Sequence, residues 1–160
     1  MHPNAQLIER LYSGLNRHAP EAMAVCYHPE ATFHDIAFHL RDRNEIAAMW
    51  EMICSGDIST TFEIARADDR EVVAKLVDEY TFSDTGRRVR NAIESRFRFR
   101  DGLIIEHSDV CDARSWAAAA IGGIPGFFAG RLRFLRAWKA RAKLKRFQRE
   151  KLRAAAHDTL

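Results

Sequence analysis

The sequence has few cysteines and no paired metal-ligand pattern. Cys26, Cys54 and Cys111 are odd in number and widely spaced. Such a set is typical of reduced, mostly structural thiols, so we expect an intracellular protein. His28 and His34 lie close together in the sequence but have no third ligand at suitable spacing, and we therefore expect no metal site.

The sequence also lacks a long apolar run. The longest uncharged stretch, residues 115–130, is interrupted by glycine and proline and is shorter than the roughly 20 apolar residues that a spanning helix needs. The N-terminus has no basic segment followed by an apolar run, which argues against a signal peptide. We therefore expect a soluble protein in the cytoplasm.

The length and the charge distribution indicate one domain with a basic end. A chain of 160 residues suits a single hydrophobic core, so a pocket is expected inside one domain rather than between two. Residues 1–130 contain 14 Lys+Arg and 20 Asp+Glu, a net charge of −6, whereas residues 131–153 contain 11 and one, a net charge of +10. The basic character therefore belongs to one C-terminal segment.

The apolar periodicity predicts helices first and a block of strands afterwards. Helical spacing indicates helices over residues 4–17 and 44–54, with a short helix between them that opens at Pro20 and ends at Pro29. Alternating patterns predict strands over residues 31–36, 59–67, 71–83, 87–100 and 103–112, and the last four form a meander of hairpins. This order is typical of an α+β domain with helices packed on one face of an antiparallel sheet.

Polar residues interrupt the apolar faces of two long strands. Asn91 and Ser95 share a face with valine, isoleucine and phenylalanine in strand 87–100, and Asp78 lies between Leu76 and Tyr80 in strand 71–83. Burying such groups costs free energy unless they are hydrogen-bonded. They therefore indicate either an internal polar network or a cavity that receives a ligand.

The last strand adds two residues with acid/base chemistry. His107 and Asp109 share one face with Ile105 and Cys111, and the pattern alone does not say which face is inside. If that face is inside, both residues converge with Asp35 of the first strand on one concave surface, where a mostly apolar pocket would suit a small molecule. The expected ligand-binding residues are Tyr12, Phe33, Trp50, Asp78, Tyr80, Asn91, Ser95 and Phe97.

The sequence resembles the nuclear transport factor 2-like superfamily, and most of all its SnoaL-like, ketosteroid isomerase-related branch. The resemblance rests on the order of elements, on YHPEATFHD at residues 27–35, on Phe97-Arg98-Phe99 before Asp101-Gly102, and on His107 with Asp109. It covers residues 5–112 and implies a cone-shaped, curved antiparallel sheet whose mouth holds the ligand. Residues 1–112 would form this domain and residues 113–160 a helical extension. The superfamily includes isomerases, polyketide cyclases, hydrolases and binding modules, so the resemblance is specific for the fold and not for the reaction.

The resemblance implies that Asp35 is a general base. Burial in an apolar pocket raises the pKa of a carboxyl group, which suits a base that removes a proton beside a carbonyl. The oxyanion donors of the isomerases are not matched, because Leu11 and Ser95 occupy their places. Residues that could replace those donors are Tyr12, Tyr80, Asn91 and His107.

Each functional interpretation has a structural alternative. Asp35 could cap the following loop or pair with Arg41, and Asp78 could be a buried structural acid paired with an arginine or a tyrosine. His107 and Asp109 could be an acid/base or orienting pair, or a satisfied structural pair. We expect binding of a small, largely apolar carbonyl compound, steroid- or polyketide-like, with proton transfer that needs no cofactor. The alternatives are a cofactor-free hydrolase and a binding module without chemistry.

The C-terminal extension is predicted to contain a short apolar helix over residues 116–121, a loop over 122–130 and a long basic helix over 131–153. Leu132, Leu135, Trp138 and Ala142 mark an apolar stripe on that helix, with Phe134 beside it. Such a helix suits an anionic membrane surface, but the acidic body favours docking on its own domain or on a partner subunit.

The expected partner, apart from the small-molecule ligand, is a second copy of the chain. The convex face of the sheet carries both signs of charge for reciprocal pairing in a homodimer, through Arg88, Arg90, Glu94, Arg96 and Arg98. Nucleic acid is not an expected partner, because the sequence has neither a recognised binding motif nor an aromatic-interleaved basic strand face.

Overall fold

A computed structural model describes the backbone of residues 1–122 and 129–157 and the side chains of residues 1–122 and 140–155. Its helices are α1 (Pro3–Asn16), α2 (Pro20–Ala24), α3 (Arg43–Cys54), α4 (Ala113–Ile121) and α5 (Ala129–His157). Its strands are β1 (Tyr27–His34), β2 (His39–Leu40), β3 (Ser59–Ala67), β4 (Glu71–Phe82), β5 (Arg87–Arg100) and β6 (Leu103–Cys111). The chain is therefore an α+β protein, as its sequence predicts.

The six strands form one curved, open sheet in the order β2-β1-β6-β5-β4-β3. Strands β3 to β6 form the expected antiparallel meander. Strand β1, in contrast, runs parallel to β6, with Phe33 beside His107 and His34 beside Ser108. Because the two strands point the same way, the residue that follows β1 lies at the same end of the sheet as Asp109.

The first strand differs most from its prediction. It begins at Tyr27 and contains Pro29, which therefore does not end α2; that helix ends at Ala24. The register between β1 and β6 is irregular between Tyr27 and Thr32. A proline is tolerated at such a place, because its missing N–H removes no regular ladder bond.

The concave face of the sheet packs against the N-terminal helices. Ile8 and Leu11 of α1 and Met49 of α3 are fully buried against Phe97 and other inner side chains. The alternation along β5 is confirmed, since Val89, Ser95 and Phe97 all have an exposed fraction of zero. The apolar face of this sheet is therefore the inner face.

A bulge interrupts the alternation of β6. Arg98 pairs with Glu106 and Phe99 with Ile104, so Ile105 has no partner in this pairing. Ile104 is consequently the fully buried residue, and the expectation that Ile105 shares the inner face with His107 is wrong. The extra residue shifts the strand by one position, and His107 and Asp109 still face inward.

The charges on the convex face are already paired within the chain. Ion pairs join Arg88 to Asp57, Arg90 to Glu79, Arg96 to Glu94 and Arg98 to Glu106, with N–O distances of 2.8, 3.7, 2.8 and 3.7 Å. Exposed pairs of this kind add little stability. The charged residues expected to pair across a homodimer thus have partners of their own, and the homodimer stays a prediction.

The C-terminal helices pack on the rest of the chain. Trp116, Ala117 and Ala120 of α4 pack against Val89. Leu144 of α5 is buried in the main core, which confirms that the described part of the helix docks on its own chain.

Polar contacts of α5 accompany this packing. Lys151 Nζ lies 2.5 Å from Glu51 Oε2 of α3, and the Arg141 guanidinium donates to the backbone oxygen of His39 at 3.3 Å. Ala142, expected in the apolar stripe, is exposed; Leu132, Phe134, Leu135 and Trp138 lie outside the described side chains. No helix in the described part of the chain is long and apolar enough to span a bilayer.

Candidate active site

A cleft of about 240 Å³ opens where β1 ends beside β6. Asp35 and Asp109 both line it, as the parallel pairing of the two strands requires. The rest of its described lining is His34, Ile36, Val110, Cys111 and Ala113. The two acidic residues expected to meet inside the cone therefore share one wall.

Asp35 caps the loop that follows β1. Its Oδ1 accepts hydrogen bonds from the backbone N–H of Ala37 at 2.7 Å and of Phe38 at 2.5 Å. The predicted alternative of a loop cap is confirmed, whereas Asp35 forms no bond to Arg41 within the described residues. Its Oδ2 has no hydrogen-bond partner among those residues.

The pKa of Asp35 is raised from 3.8 to about 6. Burial is the main cause, because it disfavours the charged form; the negative charge of Asp109 acts in the same direction, and the two backbone donors act against it. The carboxyl group therefore changes charge close to neutral pH while one oxygen stays anchored to the backbone.

Asp109 is held by two donors at a single oxygen. Its Oδ1 accepts hydrogen bonds from Ser95 Oγ and from His107 Nε2, the latter at 2.9 Å. The Asp109 side chain is 15% exposed, whereas His107 is 0% exposed and lies behind it. Oδ2 of Asp109 forms no hydrogen bond within the described residues. Asp109 is thus the member of this cluster that meets the cleft.

Behind Asp109, His107 is enclosed by aromatic side chains. Its Nδ1 is 2.8 Å from the Tyr27 hydroxyl, which also accepts a hydrogen bond from Trp50 Nε1 at 3.2 Å. The rings of Phe97 and Phe33 lie 4.2 and 4.7 Å from the His107 ring, measured between centroids. Ser95 and His107 therefore support the cleft without lining it.

Tyr27 is a residue of the site that was not predicted from the sequence. Tyr27 is fully buried and begins β1, but it precedes the residues that were predicted to be a strand. Its position at the start of a strand that pairs with β6 brings Tyr27 to His107. The sequence does not show this contact, because it depends on the parallel pairing of β1 and β6.

A second group of polar residues lies away from the cleft. Burial raises the pKa of Asp78 from 3.8 to about 6. The polar side chain of Thr60, on the neighbouring strand β3, acts in the opposite direction and lowers the pKa. Oδ1 of Asp78 is buried without a hydrogen bond in the described structure, and the expected pairing with an arginine or a tyrosine stays a prediction. Asn91 lies opposite Asp78 across β4 and β5.

Tyr12 belongs to the same interior. Its hydroxyl is buried and has no hydrogen bond of normal geometry among the described residues, although Ser95 is its polar neighbour. Burial, reinforced by the charge of Asp109, raises the pKa of Tyr12 well above its usual value of 10.0. The interior of the cone thus contains polar atoms that the described chain does not satisfy.

The remaining predicted pocket residues are core residues in the structure. Phe33, Trp50 and Phe97 are buried in the main cluster, and none of them lines the cleft. Tyr80 accepts a hydrogen bond from Trp116 Nε1 at 2.7 Å and packs with α4. Among the described side chains, no group of three or more His, Cys, Asp or Glu residues is arranged to hold a metal ion.

Comparison with known proteins places this fold in a family. Residues 8–107 match the family model described as the SnoaL-like domain. None of the curated proteins compared matches the sequence.

Several solved structures are similar over most of their length. The wild-type structure of IdmH, described as a putative polyketide cyclase from Streptomyces antibioticus, is 26% identical, with a TM-score of 0.60 over 74% of this chain and 98% of that one. A LEH-like epoxide hydrolase from M. tuberculosis is 16% identical, with a TM-score of 0.62 over 80% and 96%. A putative polyketide cyclase from Xanthomonas campestris is 18% identical, with a TM-score of 0.63 over 73% and 96%. The last two similarities show the fold alone.

Proposed function

Because this chain belongs to the SnoaL-like domain family of the nuclear transport factor 2-like superfamily, we propose that it binds a small, largely apolar carbonyl compound in the cleft beside β6. We propose further that it transfers a proton on this compound without a cofactor, as an isomerase or cyclase does. The observation that carries the proposal is that Asp35 and Asp109 line the same cleft. The similarity to IdmH, described as a putative polyketide cyclase, agrees with a ligand of this class.

In this proposal Asp35 is the base. Its pKa of about 6 makes it more basic than an ordinary carboxylate, yet it is mostly ionised at neutral pH. The backbone donors of Ala37 and Phe38 hold Oδ1, so Oδ2 is the oxygen that takes the proton beside the ligand carbonyl. Asp109 offers a second fixed acceptor, Oδ2, for a ligand hydroxyl or a water.

Two other functions have specific support. Hydrolysis is favoured by the pair of carboxyl groups at one cleft, because one can activate a water while the other protonates the leaving oxygen. A binding module is favoured by the use of Asp35 Oδ1 as a loop cap, which is a purely structural role. The proposed experiment separates all three.

The experiment measures hydrogen–deuterium exchange at the carbon beside the carbonyl, by NMR in D₂O, over a panel of cyclic β,γ-unsaturated ketones and polyketide-like diketones. This exchange reports proton removal whatever the final product is. We expect Asp35→Asn to lower the exchange rate by about 10²- to 10⁴-fold and to leave ligand affinity within about tenfold. Asparagine keeps an oxygen for the Ala37 and Phe38 donors, so the loop should be preserved.

The matched control is Asp84→Asn, which changes an exposed carboxyl group in the turn between β4 and β5. It should leave the exchange rate unchanged. Exchange that survives Asp35→Asn would return Asp35 to a structural role. Binding without exchange by the wild type would indicate a binding module, and hydrolysis of an epoxide or ester without exchange would indicate a hydrolase.

A further inference from the structure

A buried chain of hydrogen bonds runs behind the cleft from α3 to β6. Trp50 Nε1 donates to the Tyr27 hydroxyl at 3.2 Å, the Tyr27 hydroxyl meets His107 Nδ1 at 2.8 Å, and His107 Nε2 meets Asp109 Oδ1 at 2.9 Å. Trp50, Tyr27 and His107 are all nearly or fully buried. Of the four residues joined by these hydrogen bonds, only Asp109 lines the cleft.

The two ends of this chain set the direction of every bond in it. An indole nitrogen can only donate a hydrogen bond, so the Tyr27 oxygen accepts from Trp50. The hydrogen of the Tyr27 hydroxyl has no other acceptor among the described residues, so it points to His107 Nδ1, which then accepts as an unprotonated nitrogen. At the other end an ionised carboxylate can only accept, so the His107 proton lies on Nε2. Ser95 donates to the same oxygen of Asp109.

We propose that Tyr27, supported by Trp50, is a positioning residue that holds His107 as the neutral tautomer with its proton on Nε2. In this state His107 donates to Asp109 and exchanges no proton with the ligand. Asp109 is thereby held with Oδ1 occupied by two donors and Oδ2 turned to the cleft. This inference rests on the proposed function for its catalytic meaning, but the state of the His107 ring can be measured without any ligand.

The position of His107 favours a role in holding Asp109 over a role as an acid or base. Its side chain is 0% exposed, and Asp109 separates it from the cleft. The Phe33 and Phe97 rings pack closely against it, which leaves it little freedom to turn toward a ligand. A second proton on the ring would leave the buried Tyr27 hydroxyl hydrogen without an acceptor among the described residues.

The first experiment is ¹⁵N NMR of the full-length protein with labelled histidine rings at pH 7, with the His107 signals assigned by His107→Gln. We expect Nε2 to be protonated and Nδ1 to be unprotonated and hydrogen-bonded. In Tyr27→Phe the Nδ1 signal should move to the position of a ring nitrogen that accepts no hydrogen bond. A protonated Nδ1 in the wild type would overturn the proposal whether or not Tyr27→Phe folds.

The matched control is Trp116→Phe. Trp116 also donates to a tyrosine, Tyr80, at 2.7 Å, and this pair packs in the cluster around Val89. The control removes an equivalent indole donor and should leave the His107 ring signals unchanged. If Trp116→Phe moved these signals as far as Tyr27→Phe does, the effect would be a general loosening of the core and the inference would fall.

The second experiment separates positioning from acid/base chemistry by the exchange assay. Glutamine is neutral and can donate from a position close to Nε2, so His107→Gln should keep the exchange rate within about tenfold and keep its pH profile. His107→Leu removes the donor and should lower the rate much further. Equal loss in both variants would make His107 a proton carrier. If the wild type shows no exchange, the proposed function fails, while the ring signals still decide the tautomer.

Discussion

Replacing Asp78 by asparagine should stabilise this protein at neutral and alkaline pH. Asp78 lies on the inner face of β4, and its Oδ1 is buried without a hydrogen bond in the described structure. A carboxylate in this environment has lost water without gaining a donor for that oxygen. Asparagine has nearly the same shape and carries no charge at any pH, so the substitution removes this penalty.

The expected size follows from the pKa of Asp78, which burial raises from 3.8 to about 6. In the folded state Asp78 holds its proton up to about pH 6, whereas in the unfolded state it loses it near pH 4. The folded state therefore becomes less stable as the pH rises through this window, and the full penalty is present above it. Each unit of difference between the folded-state and unfolded-state pKa corresponds to about 1.4 kcal/mol, so the penalty is about 3 kcal/mol.

The assay is urea unfolding followed by tryptophan fluorescence, for the wild type and Asp78→Asn, between pH 4 and pH 8. We expect equal stability near pH 4 and a gain of up to about 3 kcal/mol for the variant at pH 8. The exposed control Asp84→Asn should show no such trend. A variant that is less stable than the wild type at pH 8, or a gain that does not shrink toward pH 4, would refute the reasoning.

Three further predictions follow from the same structure. Leu144→Ala should lower the free energy of unfolding by about 2–5 kcal/mol because Leu144 is buried in the core, whereas Leu152→Ala should change it little because Leu152 is 71% exposed; thermal unfolding of both variants checks this. Gly14→Ala should lower the melting temperature, since a Cβ there would lie 2.8 Å from Met23 Cγ and overpacking costs about 1–3 kcal/mol. Exchange catalysed by Asp35 should rise with pH through about 6, because a base acts only after it has lost its proton; a rate that falls over this range would contradict its role as the base.

The elements with a clear local pattern could be predicted from the sequence. Strands β3 and β5 begin and end where the alternation predicts, and α3 begins one residue earlier than expected. The inner position of Ser95 was likewise predictable, because strand parity assigns each side chain to a face. The position of Asp35 at the end of the first strand was implied by the resemblance. The SnoaL-like fold was recognised by resemblance, which rests on the order of elements and on motifs such as residues 27–35.

The site, in contrast, depends on how distant segments meet. The bond between Tyr27 and His107 joins residues 80 positions apart, and it exists because β1 runs parallel to β6. The unpaired Ile105 decides that Ile104 enters the core, and the docking of α5 decides that Leu144 is buried. Local patterns were sufficient for helices α1 and α3, for strands β3 to β5 and for the inner faces of β4 and β5, because these follow from periodicity over a few residues. Strand pairing, the bulge and the hydrogen-bond chain were decided by the tertiary structure, because register and packing are set jointly by side chains that local patterns do not connect.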